Sequence, residues 1–179
     1  MVKKHYYSWH DIENMCVNII TQMYADNWRP DYIVGITRGG NVPAIIISHM
    51  TGIRCESLKI SLRDGGGGSE TNCWMADDAF GYEFDEVNTE SRTVDPKKIL
   101  VVDDINDTGE TFNWLMQDWE SSCRPQDERW QSIWGDSVRF AVLTENLSSR
   151  FDHVNYSVHE VNKAEEDVWL CYPWEVVGK

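Results

Sequence analysis

The sequence predicts an α/β fold in which helices flank a parallel sheet. Short apolar stretches typical of buried strands alternate along the chain with stretches of helical periodicity. The clearest strand is the Ile-Leu-Val-Val run at residues 99–102, and a helical pattern begins near residue 112. A strand, a helix and a strand in this order need a crossover connection, which places the two strands parallel. The length of 179 residues suits one domain, residues 1–179.

The first 62 residues supply two helices and two strands. Apolar side chains at helical spacing over residues 12–23 predict an amphipathic helix, with Ser8 as its N-cap. Residues 32–36 are apolar and predict a strand, and a helix over residues 44–50 follows it. Alternating polar and apolar side chains over residues 57–62 predict the next strand.

The region between residues 63 and 96 lacks sustained periodicity and contains four consecutive glycines. Segments this long inside a compact domain are usually functional lids or disordered loops. We therefore expect a long flexible lid loop over residues 63–96, with a solvated insertion as the alternative. The apolar residues at 73–75 and 79–82 would pack down when such a lid closes over a ligand.

The second half of the chain predicts one further helix and two further strands. The helical pattern covers residues 112–120, and a polar insertion containing proline and glycine follows at residues 121–136. Residues 137–143 predict a strand, and residues 156–161 predict another.

The composition excludes several classes of protein. The formal net charge of -14 opposes binding to nucleic-acid phosphates, so DNA and RNA are not expected partners. The chain has no stretch of the length that spans a membrane, and its N-terminus has no apolar targeting segment. The five cysteines are scattered and form no C-x-x-C pair, which favours reduced thiols in a cytoplasmic protein.

The most informative segment is residues 98–112, where a buried strand runs into acidic residues. Asp103 and Asp104 come at the end of the strand, Asp107 follows, and a short turn over residues 108–111 opens the next helix. In open α/β sheets, ligands bind beyond the carboxyl ends of the strands, and helix N-termini bind phosphate. Carboxylates beside a phosphate site bind sugar hydroxyls, Mg²⁺ or both. The segment therefore predicts a site for a phosphorylated sugar.

A second turn of the same kind lies at residues 37–40, Thr-Arg-Gly-Gly, between the 32–36 strand and its helix. Paired glycines let the backbone approach a ligand closely, and Arg38 adds a fixed positive charge with several donors. Alone, the turn is equally well read as a tight turn with a surface arginine. Together with the acidic segment, it predicts a loop that holds the pyrophosphate of an activated sugar.

These motifs resemble those of the type I phosphoribosyltransferases, and most of all the bacterial xanthine–guanine phosphoribosyltransferases. The resemblance implies a five-stranded parallel core under a small hood, Mg²⁺ as cofactor, and a homo-oligomer that is a dimer or a tetramer. It also implies that a phosphoribosyl group passes from phosphoribosyl pyrophosphate (PRPP) to a purine base. The motifs that carry it occur in matching order at residues 7–9, 36–43, 103–111, 167–170 and 173–175.

The resemblance assigns PRPP to the two turns. Arg38 and Gly39 would contact the pyrophosphate, and Asp103 and Asp104 would accept hydrogen bonds from the ribose hydroxyls. Asp104 would also orient the Mg²⁺ ion. The rest of the PRPP site, including the wrap around the 5′-phosphate, would consist of Ile105, Asn106, Asp107, Thr108, Gly109, Glu110 and Thr111.

The resemblance also assigns the base site. Asp107 would take the proton from the purine imidazole nitrogen as the general base. Trp169 would stack on the base, and Leu170 would present backbone groups to its edge. A lid arginine, Arg63 or Arg92, would complete the pyrophosphate site, and the sequence ranks neither above the other.

One departure from the family pattern leaves the base open. The family usually has a lysine just after the strand that ends here at Leu143, where it contacts the purine 6-oxo group. This chain instead has residues 144–147, Thr-Glu-Asn-Leu, and a carboxylate at Glu145 would repel a carbonyl oxygen. Either a different residue supplies the donor, or the base preference lies away from ordinary 6-oxopurines. A phosphoribosyltransferase for a pyrimidine or an unusual base therefore stays open, as does a non-catalytic protein that senses PRPP or nucleotides.

Overall fold

A parallel sheet forms the centre of the structure, a computed structural model that describes residues 2–62 and 72–175. In chain order the elements are β1 (Lys3–Tyr6), α1 (Trp9–Ala25), β2 (Tyr32–Thr37), α2 (Asn41–Thr51), β3 (Cys55–Lys59), α3 (Cys73–Phe80), β4 (Tyr82–Asp85), β5 (Glu90–Thr93), β6 (Ile99–Asn106), α4 (Glu110–Ser122), α5 (Trp130–Asp136), β7 (Val138–Asn146), β8 (Val154–Tyr156), β9 (His159–Val161) and β10 (Val168–Cys171). The strand order in the central sheet is β3-β2-β6-β7-β8, with β9 also paired to β7.

Every strand pair of the central sheet is parallel, as the sequence predicts. The strand predicted over residues 156–161 is two short strands. β8 pairs near Phe140 and Ala141, and β9 pairs with residues 144–146, so both follow the same edge of β7 in succession. The sheet is therefore five strands wide at any level, in agreement with the expected five-stranded core.

Helices α1 and α2 cover one face of the sheet. α1 begins with a capping box, because Ser8 Oγ accepts from the Asp11 N–H at 3.1 Å and Asp11 accepts from the Ser8 N–H at 2.7 Å. α2 begins three residues before the predicted start and ends at Thr51, and Gly52 caps it with a φ of 72°, which suits glycine. The buried side chains of this layer include Ile12, Cys16, Ile19, Met23, Ala44, Ile47, Ile33, Leu100, Val102, Ala141 and Leu143.

The prediction of one long loop over residues 63–96 is wrong for its described part. Residues 72–96 contain helix α3, whose Met75 and Phe80 are buried in the core of the opposite sheet face, and the antiparallel hairpin β4–β5. The helix has too few turns for a periodic signal in the sequence, but its apolar face packs against the sheet. Residues 63–71, which include the four glycines, lie outside the described residues.

The polar insertion predicted over residues 121–136 also contains a helix. In α5, Trp130 and Ile133 are buried with α3 and α4 on the second face of the sheet. The indole N–H of Trp130 donates to the Cys123 carbonyl at 2.9 Å, which satisfies its polar atom inside the core. Because polar residues surround Trp130 and Ile133 in the sequence, these two apolar residues alone gave no helical pattern.

Strands β1 and β10 form a separate two-stranded parallel sheet. β1 is exposed along its whole length and was not predicted, because only its pairing with β10 makes it a strand. This sheet and the segment after it, up to Glu175, correspond to the small hood that the resemblance implies. Within the described ranges, no helix has the length and apolar character needed to cross a bilayer.

Candidate functional site

The two predicted ligand turns meet at one edge of the sheet. Residues 32–35 of β2 pair in register with residues 99–102 of β6, so both strands end side by side. The turn after β2 carries Arg38, Gly39 and Gly40, and the end of β6 carries Asp103 and Asp104. Neighbouring carboxyl ends of parallel strands are where open α/β sheets bind ligands.

Gly39 and Gly40 are packed directly against the acidic pair. A Cβ atom on Gly39 would lie 2.0 Å from Asp104 Oδ2, and one on Gly40 would lie 2.4 Å from the Val102 carbonyl oxygen. The atoms nearest Gly40 are backbone, so this position requires a residue without a side chain, whereas a side chain at Gly39 would displace the Asp104 carboxylate. Arg38 is exposed at the rim of this contact. The structure thus places the predicted pyrophosphate turn in direct contact with the predicted ribose carboxylates.

The two carboxylates are held by the backbone of their own segment. Asp103 Oδ1 accepts from the Asp104 N–H, and Asp104 Oδ1 accepts from the Ile105 N–H, both at 2.9 Å. Burial, together with the charge of Asp104, raises the pKa of Asp103 well above its usual range, and burial also raises the pKa of Asp104. Hydroxyl donors or a divalent cation would offset this concentrated negative charge.

The turn after Asp107 has the features of a phosphate cradle. Gly109 has a φ of 86° and, as a glycine, offers no side-chain cap to α4, which begins at Glu110. The Thr108 hydroxyl accepts from the Glu110 N–H at 3.3 Å. A Cβ atom on Gly109 would lie 2.6 Å from the Phe151 nitrogen, so the turn is also close to the loop after β7. The first N–H groups of a helix lack intrahelical partners, and they attract anions.

Asp107 lies between this cradle and the end of β7. Its carboxylate forms an ion pair with Lys163, with 2.9 Å between Oδ1 and Nζ. The side-chain amide of Asn146 donates to the Asp107 carbonyl at 2.9 Å and to its Oδ1 at 3.3 Å. The sequence analysis missed Asn146 and Lys163. Both are distant from Asp107 in the sequence, and no motif connects them to it.

Two of the predicted PRPP residues face inward. Asn106 is buried, and its amide donates to Glu145 Oε1 at 2.8 Å and to the Phe151 carbonyl at 2.9 Å. Ile105 packs against the core layer beneath α1 and α2. At these two positions the side chains stabilise the fold, so a ligand could contact only the backbone.

Comparison with known proteins identifies the group to which this geometry belongs. Residues 3–173 match the family model described as "Phosphoribosyl transferase domain". The chain is a member of the phosphoribosyltransferase family. The match spans both ligand turns, the hood and every strand of the sheet, and it confirms the resemblance drawn from the motifs.

Individual relatives cover nearly the whole chain. Xanthine phosphoribosyltransferase 1 of Saccharomyces cerevisiae is 25% identical over 195 residues, which cover 97% of this chain and 90% of the yeast protein. The purine phosphoribosyltransferase of Pyrococcus horikoshii superposes with a TM-score of 0.64 at 20% identity, covering 98% of this chain and 99% of that one. Helicobacter pylori xanthine-guanine-hypoxanthine phosphoribosyltransferase gives a TM-score of 0.66 at 16% identity, covering 97% and 94%.

In this phosphoribosyltransferase the predicted base residues lie on β10. Trp169 is 58% exposed between the buried residues Val168 and Leu170, so its ring faces away from the core. The side chain of Leu170 is buried, and its backbone lies in register with His5 of β1. None of the described contacts joins Trp169 or Leu170 to Asp107.

Glu145 is bonded to the neighbouring strand β6. Its Oε1 accepts from the Asn106 amide, and burial raises the pKa of this carboxyl. The charged group beside Asp107 is the ammonium of Lys163.

The two arginines considered for the lid have different outcomes. Arg92 lies on the β4–β5 hairpin, where its guanidinium is paired with Glu83 on the opposite strand. Arg63 lies outside the described residues. Within those residues the pyrophosphate turn therefore has Arg38 as its own exposed cation.

Proposed function

We propose that this protein is a purine phosphoribosyltransferase of nucleotide salvage. It transfers the phosphoribosyl group of PRPP to a base of the xanthine, guanine or hypoxanthine type, and the products are a nucleoside monophosphate and pyrophosphate. The observation that carries the proposal is the contact of Gly39 with Asp104, which joins a pyrophosphate turn to a ribose site. The names of the yeast, Pyrococcus and Helicobacter relatives support the purine class.

PRPP would lie across the edge of the sheet between the two turns. Arg38 and the backbone at Gly39 would hold the pyrophosphate, since guanidinium groups donate to several phosphate oxygens at once. Asp103 and Asp104 would accept from the ribose hydroxyls. The 5′-phosphate would bind at the N-terminus of α4, with the backbone and hydroxyl groups of residues 108–111 around it.

The acidic pair also fits Mg²⁺. Mg²⁺ binds one or two carboxylates together with substrate phosphates and water, and dedicated cages of many protein ligands are rare. The described residues contain no cluster of three or more metal-ligating side chains. Asp103 and Asp104 would supply the protein's donors. Asp104 would orient the ion, which would neutralise charge on the pyrophosphate.

The transfer step exchanges one bond at the anomeric carbon for another. The bond from this carbon to the pyrophosphate oxygen breaks, and the bond to the base nitrogen forms, through an oxocarbenium-like transition state. The carboxylates of Asp103 and Asp104 favour the positive charge on the sugar, and Arg38 stabilises the departing pyrophosphate. Asp107 accepts the proton that the base nitrogen loses.

The hood would supply one wall of the base site. The exposed ring of Trp169 suits stacking on a flat purine, and the backbone at Leu170 would contact the edge of the base. Trp169 and Leu170 both lie on β10 where it pairs with β1, so the hood holds them on a strand instead of a loop.

A base panel tests the proposal. The protein is incubated with Mg²⁺, PRPP and either xanthine, guanine, hypoxanthine, adenine, uracil or orotate, and the products are identified by mass. We expect nucleotide and pyrophosphate with the oxopurines. Product with uracil or orotate alone would replace the purine class, and no product with any base would favour a non-catalytic protein that senses PRPP or nucleotides.

We also propose a homo-oligomer, either a dimer or a tetramer, that acts in the cytoplasm on PRPP and free bases. All five cysteines are free thiols, which suits a reducing compartment. The charge of -14 argues against a nucleic-acid partner. Sedimentation of the purified protein measures the oligomeric state, and a monomer at assay concentration would contradict this part of the proposal.

A further inference from the structure

The ion pair between Lys163 and Asp107 joins two distant parts of the chain. Lys163 lies between β9 and β10, 56 residues after Asp107, and its Nζ is 2.9 Å from Asp107 Oδ1. The side chains keep 26% and 45% of their exposure, so both charged groups remain open to a ligand. The chain therefore has an ammonium group beside Asp107, although no lysine comes directly after β7.

Asn146 holds this pair in place. It is 5% exposed, and its Oδ1 accepts from the backbone N–H of Lys163 at 3.0 Å. Its amide nitrogen donates to the carbonyl and carboxylate oxygens of Asp107. One buried side chain thus fixes the backbone at Lys163 and the position of Asp107 together, and the network settles which amide atom donates and which accepts.

We propose that Lys163 selects the base by donating to an exocyclic oxygen, with Asn146 as the residue that positions it. This inference rests on the proposed function, and it names oxopurines as the bases selected. An ammonium group has three donors and no acceptor, so it binds a carbonyl oxygen and disfavours an exocyclic amine. Glu145, bonded to Asn106 on the inner side, is not part of this contact.

The role follows from the position of Asp107. When the imidazole nitrogen of a purine gives its proton to Asp107, the substituent at the neighbouring 6-position lies close to any group that is paired with that carboxylate. Lys163 is such a group, and its side chain can turn from Asp107 toward the base, because lysine carries its charge on a flexible stem. The position after β7 therefore needs no lysine in this chain, since the segment between β9 and β10 supplies the charge.

Nucleotide binding tests the inference without depending on turnover. The affinities of inosine monophosphate and adenosine monophosphate, which differ in the oxygen or amine at the 6-position, are measured for the full chain by calorimetry. We expect the wild type to prefer the oxo nucleotide. Lys163→Met should weaken its binding about 10- to 100-fold, the range of a lost charged hydrogen bond, with little change for the amino nucleotide. Lys163→Arg should retain part of the preference.

Lys3→Met is the matched control. Lys3 also forms an exposed ion pair with a carboxylate, at 2.8 Å from Glu166, and it is on the hood sheet. The control should bind both nucleotides like the wild type. If Lys163→Met weakens both nucleotides equally, the lysine acts through the charge of Asp107, and selection by Lys163 is overturned.

A double-mutant cycle tests the part played by Asn146. Asn146→Ala should weaken the oxo nucleotide in the same way as Lys163→Met, and the double variant should lose no more than about the larger single effect, because the two residues act as a unit. Full additivity would overturn the positioning role. A wild type that binds neither nucleotide would overturn the proposed function as well, whereas equal binding by wild type and Lys163→Met overturns this inference alone.

Discussion

The hydroxyl of Tyr172 lies 3.1 Å from the backbone carbonyl of Asp104, to which it donates. The same hydroxyl is 3.0 Å from Thr144 Oγ1 on β7, and burial raises the pKa of Tyr172, so the group stays a protonated donor. This contact joins the hood to β6 at the acidic pair, Asp103 and Asp104. The hood and the sheet edge are therefore coupled through a buried hydrogen bond.

Tyr172→Phe should lower the free energy of unfolding by about 1–3 kcal/mol, because it leaves the Asp104 carbonyl and the Thr144 hydroxyl without this partner. It should also raise the KM for PRPP, since the backbone of Asp104 loses its support. Urea unfolding and initial rates measure the two effects. Tyr24→Phe is the control, because Tyr24 is 41% exposed and its hydroxyl accepts from Arg29 on the surface. Equal stability of the two variants would contradict the coupling.

Gly39→Ala should weaken PRPP binding by about 10²-fold or more, because the new Cβ would meet the Asp104 carboxylate and displace it from its position beside the turn. Gly52→Ala is the matched control: it strains a backbone with a φ of 72°, but nothing lies within 4 Å of its new Cβ. The control should lose stability and keep its affinity for PRPP. Titration calorimetry with PRPP separates the cases, and unchanged affinity in Gly39→Ala would remove the turn from the site.

Met75→Ala should lower the free energy of unfolding by about 2–5 kcal/mol, the usual cost of emptying a buried methionine site. A loss of this size would show that α3 is part of the folded core, as its packing indicates. A lid that only closes over a ligand would show little loss of stability in the absence of that ligand. Val87→Ala, at a residue 91% exposed in the hairpin turn, is the control and should change stability by less than about 0.5 kcal/mol.

The parts of the fold that could be predicted are those with a strong local signal. Four apolar residues at 99–102, followed by carboxylates, predict a buried strand with a ligand site at its end, and the structure has the buried strand and the carboxylates in that place. Ser8 and Asp11 similarly form the capping box that begins α1. In each case the residues that act together are neighbours in the chain, so spacing alone identifies them.

The parts that could not be predicted depend on partners far away in the chain. β1 is a strand only because it pairs with β10, more than 160 residues later. α3 and α5 are too short for a helical period, and the core contacts of Met75 and Trp130 decide their structure. Lys163 reaches Asp107 through β9, and no feature of residues 162–167 indicates a ligand contact. Tertiary packing supplied what local sequence did not contain.

Asp107→Asn should slow nucleotide formation by about 10²- to 10⁴-fold, because the amide cannot accept the base proton in the transition state. The size of the side chain is preserved and its amide oxygen can still accept from Asn146, although the ion pair with Lys163 is lost. PRPP binding should change only slightly. Single-turnover rates and PRPP titration measure the two quantities. A rate equal to that of the wild type would exclude Asp107 as the general base.

His159 should make the protein less stable in mild acid. Burial, together with the neighbouring His5, lowers the pKa of His159, and Nδ1 contacts the Tyr7 hydroxyl. The unfolded chain binds a proton at about pH 6.5, whereas the folded chain does so only at lower pH, so unfolding takes up a proton between the two values. The free energy of unfolding should therefore fall as the pH drops through this window, and below it the loss should become constant. His159→Asn retains a polar group facing Tyr7 and should flatten this part of the profile. Urea unfolding from about pH 8 to pH 5 measures it, and parallel profiles for wild type and variant would show that His159 does not contribute.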